Sequence, residues 1–357
     1  MSKSRYIALD AMRGLTLALM IVVNTPGSWS HVYRPLLHAD WHGWTFTDLV
    51  FPFFLFIVGA ALFFSRLTSV QLSRVDQCKK ITRRALMLVA LGVLLEFYPF
   101  LTALDDLRLP GVLQRIGLAY AATAYLQVFV RPQWNPLFIA VLLVSYSLLL
   151  LCSSDPYGLE GNVLRAFDLA VLGESHLWAG KGLAFDPENL LGTIAATATV
   201  LIGFEAARWL RSGQSFGRLI SGLLVVSLVL VVLAYSLPEP INKSLWTSTY
   251  VLLTGGLALA FLACLLILER AKIGAWVMQS LSILGQNPLF IYALAWLWVR
   301  SYSLVPTSDG TLYESLFLWL ALMMPAKLAS LMFALLHLAI LWLLAWWLHR
   351  RRIYIKL

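Results

Sequence analysis

Residues 24–48 read NTPGSWSHVYRPLLHADWHGWTFTD, a polar and aromatic stretch set between apolar runs near 10–26 and 46–67, and how it is read decides the fold. Of the six histidines, His31, His38 and His42 fall inside it, in a chain that is otherwise mostly hydrocarbon. A polar segment joining two apolar spans must sit at a membrane face or fold back into a cavity between helices, because polar groups are costly in lipid unless satisfied. On this reading His38 is a catalytic base and Asn24 its partner.

Working outward, the composition agrees with a membrane setting. Hydrophobic residues make up 60% of the chain, charged residues only 13%, and the mean hydropathy is +0.78. Soluble domains carry about a quarter charged residues. At about 20 apolar residues per crossing, spans are predicted near 10–26, 46–67, 85–104, 112–130, 136–152, 189–207, 219–236, 248–268, 276–299 and 328–349. The expected fold is all-α, a polytopic membrane bundle of about ten transmembrane helices with both termini cytoplasmic, in one domain over 1–357. The apolar piece 314–324 is too short to cross and ends at Pro325, so it is assigned to the outer interface or a re-entrant turn. No small-residue cleavage site follows the first apolar run, which is therefore expected to be a retained helix.

The net charge of +9 raises the question of a nucleic-acid partner, and its placement answers it. Lys and Arg concentrate on segments expected to be cytoplasmic, including Lys3, Arg5, Lys79, Lys80, Arg83, Arg84 and Arg350 to Arg352. That is the positive-inside pattern, which sets orientation and needs no nucleic acid. The cluster at 79–84 could also meet the phosphates of a nucleotide-like donor, but topology alone explains it better. Cys78, Cys152 and Cys264 are expected at different depths, so no disulfide is expected.

Asn24 lies roughly 21 Å along the first helix from Asp10, where a side-chain amide is costly unless hydrogen-bonded. Its NH2 could donate to a carbonyl oxygen as charge develops there; a structural bond to a neighbouring helix is the equal alternative. Neutral imidazole at His38 suits proton abstraction near pH 7. Thr45 and Asp48 fit a helix capping box, and a role for Asp48 in orienting His38 needs tertiary support. His38 and His42, four apart, would share a helix face as metal ligands with His31 or Asp40, but no HExxH or further clustered ligand appears, and no metal is expected. Asp10 and Arg13 are spaced to pair on one helix face. Glu96 and Arg115 are charges at membrane depth, expected to meet each other or a cavity. The long outer loop 153–188 and the short one at 238–246 bring further Gly, Asp, His and Trp to the outer face. Trp29, Trp41, Trp44, Trp178 and Trp246 would suit sugar rings, although Trp is enriched at membrane interfaces in any case.

These motifs carry a family resemblance. RYIALDAMRGLTLALMIVVN, LLHADWHGWTFTDLVFPFFLFIVG, PGVLQRIGLAY, AFDPENLLGTIAATATVLIGF, PINKSLWTSTYV and LGQNPLFIY, in this order, resemble the heparan-alpha-glucosaminide N-acetyltransferase family and its bacterial relatives that acetylate glucosamine. The resemblance implies a multi-pass enzyme of the inner (plasma) membrane that takes acetyl-CoA from the cytoplasmic side and acetylates the amine of a glucosamine unit on the other side. It places the catalytic histidine at His38 and the neighbouring Asn at Asn24; Asp48 is the further catalytic candidate, from its position beside them in the sequence. Arg115, Arg13 and Asn287 are the candidates for holding acetyl-CoA, and Asp40, Trp41, Glu188, Asn242, Lys243 and Trp246 for holding the sugar. Relative to the animal enzymes the chain is expected to lack a luminal N-terminal domain and an extra helix, His42 stands where their motif has Asn, and the spacer from Asn24 to His38 is longer. Family members suggest a homodimer. Two other readings stand beside this one: a transporter of a polar or sugar solute, and an O-acyltransferase acting on an envelope polysaccharide.

Overall fold

The computed structural model describes residues 6–69, 71–308 and 310–355; Lys3 and Arg5 lie outside them. Thirteen α-helices follow one another among the described residues: α1 Ile7–Asn24, α2 Val50–Ser69, α3 Arg74–Phe97, α4 Val112–Phe129, α5 Asn135–Leu150, α6 Val163–Leu172, α7 Thr193–Leu210, α8 Phe216–Ser236, α9 Ser248–Ala271, α10 Ala275–Leu284, α11 Pro288–Tyr302, α12 Leu312–Ala321 and α13 Ala326–Arg350. The described strands are two-residue β1 Pro306–Thr307 and β2 Gly310–Thr311, an antiparallel pair. Among the described residues six helices are long and apolar enough to cross a membrane: α1, α2 with the turn before it, α5 with the turn before it, α8, α9 and α13. A bent pair, α10 with α11, makes up to seven. On α8 the side chains of Leu224, Val225, Leu228, Val229 and Val232 are exposed, an apolar surface that only lipid or protein would cover at low cost.

The chain separates into two compact units. One takes in the described chain up to Ala39, then Thr45–Phe54, then the chain from Cys264; the other takes in Asp40–Trp44 and Leu55–Ala263. In the first, α1 packs on α10, α11 and α13. The α1–α10 contact is a backbone approach: a Cβ on Gly14 would lie 1.7 Å from the Leu281 carbonyl oxygen, and one on Gly285 would lie 2.4 Å from that of Asp10. In the second unit α3 packs on α4, and α7 on α4 and α5. Here Gly59 of α2 and Gly203 of α7 face each other's helix, each with a Cβ position 1.8 Å from a carbonyl oxygen, of Val200 and Phe56 respectively. Hydrocarbon around the helices removes the usual drive to bury apolar side chains, so close packing over small residues supplies the contact energy.

Two expectations are revised. The span expected at 276–299 is broken by about 70° between α10 and α11. Pro288 opens α11 and has no N–H to continue a helix from Leu284, so the chain must restart there. The loop at 153–188, expected on the outer face, contains a regular element, α6, whose Asn162 accepts a bond from the Arg165 backbone N–H at 2.9 Å as its N-terminal cap.

Candidate active site

The polar segment after α1 is pinned before it reaches His38. Thr25 and Pro26 end the helix, Gly27 N donates to the Ser330 carbonyl at 3.2 Å, and Ser28 N donates to Ser330 Oγ at 3.1 Å. Tyr313 OH donates to the Pro26 carbonyl. A Cβ on Gly27 would meet the Phe317 ring at 2.6 Å, so only glycine lets this segment lie so close to α12 and α13. Asn24, the last residue of α1, is exposed.

His38 and Asp48 are brought together. Asp48 sits in the 3-10 turn Phe46–Leu49 that leads into α2, and this turn packs on α1. Its Oδ1 accepts from His38 Nδ1 at 2.6 Å. Its Oδ2 accepts from Ala39 N at 3.0 Å, from Thr45 N at 2.9 Å and from Thr45 Oγ1 at 3.2 Å. The Asp48 side chain is 1% exposed and that of His38 50%. The capping and orienting readings of Asp48 are therefore not rivals: one oxygen closes the turn, and the other takes the imidazole. With Nδ1–H donated to a carboxylate, the basic lone pair of neutral His38 lies on Nε2.

The other residues singled out from the sequence fall in different surroundings. Arg13 Nη1 donates to Asp10 at 3.0 Å and to the Gly285 carbonyl at 3.4 Å. Asn287, 1% exposed, donates from Nδ2 to the Ile353 carbonyl at 3.1 Å and accepts from Ile355 N at 2.8 Å, holding the chain after α13. Arg115, also 1% exposed, donates to the Asn189 carbonyl at 2.7 Å and lies 4.9 Å over the Trp246 ring. Glu96 meets Arg108, at 3.5 Å.

Asp40 is exposed and its carbonyl accepts from Lys181 Nζ. Trp41 Nε1 donates to the Tyr157 carbonyl at 2.8 Å, and its ring stands edge-on to Phe185 at 5.4 Å. Asn242 is buried, accepts from Leu245 N at 2.9 Å and lies 3.3 Å from His42 Nδ1. Burial lowers the His42 pKa, with Asp155 opposing that shift. The Lys243 carbonyl accepts from Trp246 N at 3.0 Å. Trp246 is fully buried, with a left-handed φ of 52°, so its ring presents no face to a sugar.

Among the described residues the largest ion cluster centres on Arg108 rather than on Arg115. Arg108 makes a bidentate pair with Asp186 at 2.8 and 2.9 Å and reaches Glu188 at 2.8 Å. Burial works against its charge, but the surrounding carboxylates outweigh that and its pKa is raised. Nothing local in the sequence marks this cluster, since Arg108 and Asp186 are 78 residues apart.

An imidazole held by a buried carboxylate, in a chain with several bilayer-length helices, defines a multi-pass membrane protein carrying a histidine–carboxylate site. A family model described as heparan-alpha-glucosaminide N-acetyltransferase, catalytic, matches residues 5–173, a stretch that includes Asn24, His38, Asp48 and Arg115. The chain is 28% identical over 355 residues to heparan-alpha-glucosaminide N-acetyltransferase of Mus musculus, covering 82% of this chain and 53% of that protein. To the Homo sapiens protein of the same name it is 26% identical over 349 residues, covering 81% and 52%. The chain thus resembles the heparan-alpha-glucosaminide N-acetyltransferases over most of its length, and spans about half the length of these curated relatives.

Proposed function

We propose that this chain is an N-acetyltransferase of the inner membrane. It moves an acetyl group from cytoplasmic acetyl-CoA to the amine of a glucosamine unit on the far side, across a bundle of ten crossings with both termini cytoplasmic. The observation that carries the reading is the 2.6 Å bond between His38 and Asp48, together with the likeness to the two N-acetyltransferases. Acetyl-CoA is a polyanion and does not cross hydrocarbon, whereas an acetyl group can be handed over inside a cavity.

In the proposed reaction the sugar amine attacks the thioester carbonyl and His38 Nε2 takes the amine proton, forming the C–N bond. Asp48 keeps the ring in the required tautomer and steadies the imidazolium. Asn24 donates from its amide to the developing oxyanion. The C–S bond then breaks, and the proton held on His38 passes to the departing thiolate, giving free CoA thiol and the N-acetyl sugar.

The test is acetyl transfer from acetyl-CoA to glucosamine by the purified protein, following both thiol release and N-acetylated product. His38→Ala is expected to abolish turnover. Asp48→Asn is expected to lower kcat by roughly 100- to 10,000-fold, the range for a positioned acid–base group, while the fold persists. Near-normal turnover by His38→Ala removes the histidine from the mechanism. The bend between α10 and α11 favours a second reading, a transporter, because broken helices often form transport sites. Uptake of unmodified solute with no N-acetyl product would select it.

A further inference from the structure

We propose that the cavity enclosed by α11, α12 and α13 is a seat for one hydrocarbon chain of a bilayer lipid, and that this chain braces α12 against the turn leading to His38. The cavity lies wholly within the first unit. Its volume is about 660 Å³, in the middle of the range of about 300–1,000 Å³ for small-molecule sites. Leu297 and Trp298 of α11, Leu316 and Trp319 of α12, and Leu336 and Ile340 of α13 line it, and none of the lining residues is Lys, Arg, Asp or Glu.

The hydroxyl and imidazole groups in the lining are satisfied within the wall itself. Ser301 Oγ donates to the Leu297 carbonyl at 2.7 Å. His337 Nδ1 donates to the Phe333 carbonyl at 2.7 Å, which leaves Nε2 to accept from the Tyr302 hydroxyl. A sugar or an anion would shed its water here without meeting a charged partner. Ordered water needs several polar partners, which a wall of this kind does not offer. An empty space of this size would deprive its lining of contacts, as a cavity in a core does. Hydrocarbon restores those contacts and asks for no hydrogen bond.

Depth and lining chemistry point to the source of that hydrocarbon. Leu336 and Ile340 are exposed and lie near the middle of the 25-residue α13, a helix of bilayer length. At that depth an opening meets lipid tails, not headgroups or water. A second copy of the chain is a poorer fit. Helices in lipid associate over small residues, as α1 does on α10 and α2 on α7 through Gly14, Gly59 and Gly203, whereas none of the lining residues is Gly or Ala. The neighbouring face of α12 meets the segment after α1: Tyr313 OH donates to the Pro26 carbonyl, and Phe317 lies against Gly27. With the cavity filled, α12 has no space to sink away from that turn.

The experiment is photo-crosslinking of the full chain in nanodiscs made with a phosphatidylglycerol that carries a diazirine at the end of one acyl chain, the labelled residues being mapped by mass spectrometry. Expected is labelling of Leu297, Leu316 and Leu336 above that of Leu228 and Val229, which are exposed on α8 and report the surrounding lipid. Leu336→Trp, which fills the space, is expected to bring labelling of Leu297 and Leu316 down to the α8 level, and Leu228→Trp to leave it unchanged. Unchanged elution and melting show that the variants are folded, and Ile340→Trp repeats the test if Leu336→Trp does not fold. Equal labelling of the cavity and α8 in wild type overturns the proposal, as does cavity labelling that survives the filling substitution. Crosslinks joining two copies through these residues assign the cavity to a dimer contact and also overturn it. Stripping the lipid with detergent is expected to speed amide exchange at Gly27 and Ser28, whose N–H groups bond to Ser330; unchanged exchange defeats the bracing of α12. His38→Ala is expected to be labelled like wild type, so the lipid seat is tested apart from the proposed acetyl transfer.

Discussion

Asp48 closes a helix-entry turn with one oxygen and holds an imidazole with the other, so local and tertiary demands meet on a single carboxylate. Asp168 shows the opposite case, a carboxylate with too few partners. It is buried, its Oδ1 accepts from Leu190 N at 3.1 Å, and its Oδ2 has no hydrogen-bond partner. Burial pushes its carboxyl up to about 6, opposed by the Leu190 bond. Between an ordinary carboxylate pKa near 4 and 6 the folded state therefore binds more protons than the unfolded one, so stability falls as pH rises through that window. Its share is on the order of 3 kcal/mol, complete below about pH 4 and lost as pH rises through about 6. Melting in detergent across pH 4–7 is expected to show this fall and Asp168→Asn to reduce it; an unchanged slope in the variant refutes the assignment.

At the scale of elements, the helices are held by backbone contact as much as by side chains. Gly203 has no room for a Cβ against the Phe56 carbonyl, while Gly217, at the start of α8, has nothing within 4 Å of that position. Gly203→Leu is expected to destabilise by about 3 kcal/mol or more, since overpacking against fixed backbone cannot be relieved by a rotamer change. Gly217→Ala is expected to be neutral or stabilising by up to about 1 kcal/mol. Melting temperatures of the two variants in the same detergent decide it, and equal effects would mean that α2 and α7 do not depend on the close approach. Which glycines serve as contacts is not visible in the sequence, because an isolated glycine in an apolar run looks the same whichever neighbour it faces. The break before α11 was more nearly readable, since Asn287-Pro288 stands in the run, yet hydropathy averaged over twenty residues passes over it.

Over the whole molecule, the proposed orientation puts Cys78, at the start of α3, on the cytoplasmic side and Cys152, after α5, on the outer side. A membrane-impermeant maleimide added to intact cells is expected to label the Cys78→Ala protein through Cys152, which is exposed, and to spare the Cys152→Ala protein. The reverse pattern inverts the topology and with it the direction of acetyl transfer.

Helical character and membrane residence were legible in the sequence, because each rests on local information: runs of hydrocarbon and a low share of charged residues. Only the tertiary structure decided which charges meet. It paired Glu96 with Arg108 and placed Arg115 over Trp246 inside the protein. Those outcomes depend on contacts between residues tens of positions apart, and on the direction each side chain takes from its helix, neither of which one-dimensional spacing can specify.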